Sequence, residues 1–288
     1  MAPFGRLLKE QYGESYCVDF HGCNISNDDL DVLNDLPAIW NLDLSETPID
    51  DEGLAKLEGR HDVLTLDLWE TKVTNKGMRF LPSLTRLEDL SLDNTQIGDE
   101  GLQAIGSMRL KKLSIGRTQV TDDGLSVLQS MHTLTDLSLD GARISDQGLS
   151  HLRHLRSLTH LSLGDTRISG TGLEYVEGLT NLEDLGLGNT KIDDPGLRHL
   201  KGLSKLERLS LMKTQVGNEG MIHLRDLIGL KDLVLEDTKV TDKGILELKG
   251  LRNLKNLNLS GTKVSSKARK ELTQSLGDVH FFSLAPDE

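Results

Sequence analysis

Apolar residues recur along this chain at two spacings that alternate. In LEDLSLDNTQIGDEGLQAIGSMR, which begins at Leu87, Leu90 and Leu92 alternate with polar residues, the mark of a short strand with one buried face. Beyond Ile97 the interval changes: Leu102 and Ile105 lie three apart, as on one face of a helix. The unit returns from Leu182 as LEDLGLGNTKIDDPGLRHLKGLSK. Taking the Thr of each T-x-[IV] step as a marker gives Cys23, Thr47, Thr71, Thr95, Thr118, Ala142, Thr166, Thr190, Thr214, Thr238 and Thr262, 24 residues apart except for one step of 23 between Thr95 and Thr118. A fixed period of this size predicts a solenoid whose turns bury their apolar faces only against their neighbours. Strand followed by short helix predicts a parallel sheet on one side and helices on the other. The strand side is narrower per turn, so the stack is expected to curve with its strands on the concave wall.

The turn between the two halves carries a helix start. In VTDDGLSVL, Thr121 is placed to be the N-cap, and Asp122 falls in the first helical turn, where a carboxylate favours the positive end of the backbone dipole. Val120 and Leu125 match a hydrophobic staple. The arrangement recurs at Ile49, Asp50 and Leu54, and at Val240, Thr241 and Ile245. Gly at 53, 77, 101, 124, 148, 172, 196, 220 and 244 occurs in nearly every copy. That argues for close packing between adjacent turns and against a phosphate loop. The marker Thr is expected to satisfy backbone groups in its turn with its hydroxyl, which makes Ala142 a local weak point.

At these residues the chain resembles the leucine-rich-repeat family over essentially its whole length, with the L-x-x-L-x-L core met about ten times in register. The T-x-[IV]-[ST]-D-x-G-L-x-x-L version is similar to short, cysteine-poor repeats of bacterial proteins, notably planctomycete ones. It is also similar to the cysteine-containing, ribonuclease-inhibitor-like subtype with Thr in the Cys slot, where Cys23 keeps the original residue. The last turn departs from the pattern: Ala268 stands where Gly is expected, and KELTQSLGDVHFF looks like a closing helix and strand. The resemblance implies a right-handed α/β solenoid with a parallel sheet on the concave side and short helices on the convex side. Its expected divisions are an N-terminal cap at 1–15, about eleven turns over 16–266 and a C-terminal cap at 267–288. It implies a binding scaffold and leaves the ligand open.

Composition narrows the partner. A net charge of -12 disfavours nucleic acid, because phosphate binding draws on clustered Lys and Arg. A protein partner with a basic patch suits this charge, and a monomer is expected. Cys17 and Cys23 form no CxxC pair, and Cys23 is read as a small buried filler. MAPFGRLLKEQYGESY lacks the apolar core of a signal peptide, and no stretch is apolar for long enough to span a bilayer. A cytoplasmic location is favoured for the chain as it stands, a secreted or periplasmic one if a signal has been removed.

Strand residues between the buried leucines define the exposed wall. One column runs Asp19, Asp43, Asp67, Ser91, Ser114, Ser138, Ser162, Gly186, Ser210, Val234 and Asn258, with acid at its N-terminal end. The next holds Trp69 and Met212 at positions expected to face water. Asp67, Glu70, Asp89 and Asp93 surround Trp69 in the repeat map, the composition of an interface anchor for a cationic partner. Trp69 leaning on its neighbours among merely solvated acids is the other reading. Candidate partner contacts are Asp43, Asp67, Trp69, Glu70, Asp89, Asp93, Asp136, Asp140, Arg208, Met212 and Lys213. A lateral column, Lys72, Gln96, Gln119, Arg143, Arg167, Lys191, Gln215, Lys239 and Lys263, is either a docking strip for an acidic partner or a set of counter-charges for neighbouring acids.

Signals for chemistry are weak. His151, His199 and His223 share a helix slot that Tyr175 and Val127 fill in other turns, which marks a packing slot, and no metal or cofactor site is expected. GxSxG, HExxH and P-loop motifs do not occur. A non-enzymatic protein-recognition scaffold is therefore expected, acting through its concave face. The alternative is a regulatory subunit or inhibitor that wraps a basic enzyme.

Overall fold

The computed structural model describes residues 6–9 and 15–282. The chain divides into two compact units, Met1–Ser138 and Leu139–Glu288. In the first, β1 (Arg6–Lys9) runs antiparallel to β2 (Tyr16–Asp19). The strands β3 (Ile39–Asp43), β4 (Thr65–Asp67), β5 (Asp89–Ser91), β6 (Lys112–Ser114) and β7 (Asp136–Ser138) then follow in parallel, each beside the one before. In the second unit β8 (His160–Ser162), β9 (Asp184–Gly186), β10 (Arg208–Ser210), β11 (Asp232–Val234), β12 (Asn256–Asn258) and β13 (His280–Phe282) form the same parallel series. Of the expected cap segments, residues 1–5, 10–14 and 283–288 lie outside the described residues.

Each strand from β2 to β12 is followed by a short helix, as the change of spacing predicts. Some are α-helical, such as Asp51–Ala55, Asp99–Ile105 and Asn218–Leu224, and others are 3-10 segments, such as Gly77–Ser83, Gly124–Ser130 and Pro195–Leu200. The core between strands and helices is aliphatic. Leu90, Leu92, Ile97, Leu102 and Ile105 of one turn, and Leu185, Leu187, Ile192, Leu197 and Leu200 of another, are all fully buried. The paired residues Ile49 and Leu54, Val120 and Leu125, and Val240 and Ile245 are fully buried too.

Two backbone devices shape the turn after each strand. The marker Thr donates its hydroxyl to the carbonyl three residues earlier: Thr71 to Leu68 at 2.7 Å, Thr95 to Leu92 at 2.6 Å, Thr190 to Leu187 at 2.6 Å. Ala142 occupies the same place with only its amide bonded to the Leu139 carbonyl, at 3.0 Å. Cys23, expected to be buried, is half-exposed, because its turn is the first of the series. The residue before the marker is left-handed in turn after turn, whether Gly141 at φ 68° or Glu70 at φ 56° and Lys213 at φ 54°. A bulky L-residue there costs about 1–2 kcal/mol.

The helix start works differently from its predicted form. Thr121 was expected to cap its own helix; instead its amide and hydroxyl both donate to Asp99 of the preceding turn, at 2.8 and 2.7 Å. The same clasp joins Thr74 to Asp51, Ser169 to Asp146, Thr241 to Asn218 and Ser265 to Asp242. An acid or amide at a helix start has two loyalties, to its own dipole and to the next turn's amide, and here the second is met with two hydrogen bonds. Asp50 does cap its own helix, accepting from the Glu52 amide at 2.9 Å.

The clasp explains the repeated glycine. A Cβ on Gly124 would stand 2.2 Å from Asp99 Oδ1, one on Gly101 2.6 Å from Asn75 Oδ1, and one on Gly244 2.5 Å from Asn218 Oδ1. Those oxygens are tethered and cannot swing aside. Gly124→Ala is therefore expected to destabilise the protein by roughly 1–3 kcal/mol in denaturant unfolding. Gly178→Ala, where the nearest atom is 3.9 Å away, is expected to be near neutral. Equal effects of the two would contradict the clasp. Leu139→Ala, at a fully buried position, is expected to cost about 2–5 kcal/mol, and a mild effect would mean the register is misassigned.

Candidate functional site

On the wall of the first unit, β2, β3 and β4 set three carboxylates side by side: Asp19 pairs with Asp43 and Asp43 with Asp67. Like charges in adjacent register positions repel. Each finds a backbone donor two residues on instead of a cation: His21 N for Asp19, Ser45 N for Asp43 and Trp69 N for Asp67, all at 2.9 Å. The carboxylates thereby hold the left-handed turns from which the next column projects. In that column the His21 and Trp69 rings lie nearly parallel, at 11° with centroids 6.5 Å apart. Ser45 lies on the turn between them, almost fully buried, with its hydroxyl 2.9 Å from His21 Nδ1. Trp69, expected to face water, is half-buried, with the His21 ring two turns earlier nearly parallel to it.

The adjoining column starts each strand with Thr65, Asp89, Lys112 and Asp136 in register. Burial pushes the Asp89 carboxyl above its ordinary value; Lys112 draws it down, while Asp136 and Asp67 push it up further. Asp93 accepts the Gly116 amide at 2.5 Å, and Asp136 accepts the Thr135 hydroxyl at 2.6 Å. Glu70 is exposed on its left-handed turn, and its amide donates to the Asp93 carbonyl at 3.0 Å. Asp43, Asp67, Trp69, Glu70, Asp89, Asp93 and Asp136 thus share one wall.

Asp140, Arg208, Met212 and Lys213 belong to the second unit. Asp140 accepts from the Ser162 hydroxyl and the Gly164 amide, at 2.7 and 2.6 Å. Arg208 donates from Nε to Asp184 at 2.6 Å and reaches His160 Nε2 at 3.2 Å. The Asp184 bond holds the guanidinium above its ordinary value. Met212 is half-buried across Gly188, where a Cβ would come within 2.7 Å of its Cγ. His160 is therefore a wall residue tied to Arg208, while His199 packs on the helix side with 14% of its side chain exposed. Among the described residues no group of three His, Cys, Asp or Glu is placed to hold a metal ion, and no helix is long and apolar enough to cross a membrane.

Sequence reasoning missed the His21–Trp69 stack. Both residues sit in the column just beyond the last leucine of the strand, two periods apart, and that column was the available signal.

The model for the leucine-rich-repeat family matches residues 41–57, 83–106, 130–152, 154–176 and 202–224. No curated protein matches the chain in sequence. Among solved structures, an internalin (InlF) of Listeria monocytogenes is similar with a TM-score of 0.65 at 21% identity, over 96% of this chain and 87% of that one. Internalin C2 of the same organism gives 0.54 at 23% identity, over 82% and 84%. A leucine-rich-repeat protein of Leptospira interrogans gives 0.64 at 22%, over 86% of this chain and 61% of that one. The chain carries leucine-rich repeats, and its fold is an α/β solenoid of a kind found in bacterial proteins. The fold is generally a protein-interaction scaffold.

Asp89 offers a test of the wall's electrostatics. With its folded value raised, the native state holds a proton more tightly than the unfolded chain. Stability from this group therefore falls as pH rises from the unfolded carboxylate value of about 3.9 through the folded one. Asp89→Asn is expected to raise the melting temperature at neutral pH and to give no gain once both states are protonated. A neutral-pH loss would show that attraction to Lys112 outweighs burial and repulsion.

Proposed function

We propose that the strand wall of the first unit recognises a protein partner that presents basic side chains. The observation that carries this reading is the row Asp19, Asp43 and Asp67 beside the His21–Trp69 stack. Mutual repulsion makes such a row unfavourable for the isolated protein, and an incoming Arg or Lys relieves it. The half-buried indole supplies an apolar anchor with a negative ring face, which attracts a guanidinium or ammonium, and the flanking carboxylates select for that charge. In this reading Trp69 is the anchor and Asp43, Asp67, Asp89 and Asp93 set charge preference. Glu70 and Asp136 extend the field at the rim. Arg208, Met212 and Lys213 form a separate, mixed-charge patch on the second unit. The reading needs no catalytic group, and the protein acts as a binding module.

A labelled Arg-rich peptide titrated by fluorescence anisotropy checks this. Trp69→Ala is expected to weaken binding about tenfold or more. Its thermal unfolding should stay close to wild type, because the side chain is only half-buried. Unchanged affinity would refute the assignment, and a large fall in melting temperature would make Trp69 a structural residue.

A further inference from the structure

The lateral basic column behaves unlike a set of counter-charges. In the second unit Arg143, Arg167, Lys191, Lys239 and Lys263 are all exposed. Among the described residues, none of the five takes part in an ion pair. Several of the flanking acids are engaged elsewhere. Asp146 accepts from the Ser169 amide and from the Ser169 and Thr171 hydroxyls, at 2.6–2.7 Å. Asp194 accepts the Gly217 amide, Asp242 the Ser265 amide and hydroxyl, and Asp165 the Asn189 side chain. Several carboxylates near the column are engaged in the turn-to-turn clasps, and the five cations stay exposed to solvent.

Backbone bonds hold the column in a row. The amides of Arg167, Lys191, Gln215 and Lys239 donate to the carbonyls of Ile144, Ile168, Ile192 and Val216 one turn earlier, at 2.8–3.1 Å. Lys191 bridges Ser169, and Lys263 bridges Thr241, in parallel. At about 4.8 Å per turn, five cations and Gln215 span roughly 24 Å. In the first unit the same column holds Lys72, Gln96 and Gln119, so the charge is a feature of the second unit.

We propose that this strip is a second docking surface, for an extended acidic segment of a partner protein whose Asp and Glu side chains meet the cations turn by turn. A peptide fits better than a nucleic acid. The row runs beside Asp165 and Asp237, both exposed, which repel a continuous phosphate backbone but can lie between discrete carboxylates. The proposal is independent of the Trp69 wall and would survive its failure.

The full chain is tested with a labelled peptide of alternating Glu and Ser, by fluorescence anisotropy over a salt series. Wild type is expected to bind, more weakly as salt rises. The triple substitution Arg167→Glu, Lys191→Glu and Lys239→Glu is expected to weaken binding about tenfold or more with an unchanged circular dichroism spectrum. The corresponding Gln variants replace it if folding is disturbed. Trp69→Ala is expected to bind this peptide like wild type. Failure of wild type to bind at low salt, or wild-type affinity in the triple variant, overturns the proposal. So does loss of binding in Trp69→Ala, or tighter binding of a single-stranded oligonucleotide of equal charge.

Discussion

One contact recurs down both units and governs what else each turn can hold. A Ser or Thr at the end of one post-strand turn donates its amide and hydroxyl to an Asp or Asn at the helix start of the turn before. The acceptor passes where a side chain on the next turn would stand, which makes that residue glycine. Apolar burial supplies most of the driving force, as in any stack of nearest neighbours. Burial is non-directional, however, and a row of leucines alone permits slippage. The clasp sets the register, and with it the face on which every wall residue appears.

A fixed register has electrostatic consequences. It forces Asp19, Asp43 and Asp67 into one row and the basic column into another, whatever their mutual repulsion. The acids of the wall accept amides of their own turns, while the acids of the helix starts accept donors from the following turn. Both uses leave net charge uncompensated by side-chain cations. Among the described residues, one unit carries an acidic row and the other a row of cations that take part in no ion pair. Burial that raises Asp89 and a half-buried indole beside the acids are further departures from what stability alone would select.

Much of the fold is legible in sequence because the period is. Strand centres such as Leu90 and Leu185, the Thr hydroxyl bonds, the glycine column and the short return helices all follow from one repeat read many times. The unread part depends on neighbours. Thr121 is an equally good cap in sequence whether it faces its own helix or Asp99, and only the spacing of adjacent turns decides. His21 and Trp69 meet across an intervening turn because Asp19 and Asp67 hold both left-handed turns in place. Left-handed Glu70 and Lys213 carry no glycine signature, since the Thr bond and amide ladder impose the conformation. The exposed basic column was equally hidden, because several acids near it in sequence, such as Asp146 and Asp242, make hydrogen bonds that sequence does not display.

Amide hydrogen exchange at Thr121 in an Asp99→Ala variant tests the turn-to-turn clasp most directly. Loss of protection at Thr121, with Thr74 still protected by Asp51, is the result the clasp predicts. Wild-type exchange at Thr121 would contradict it and return the register to hydrophobic packing alone.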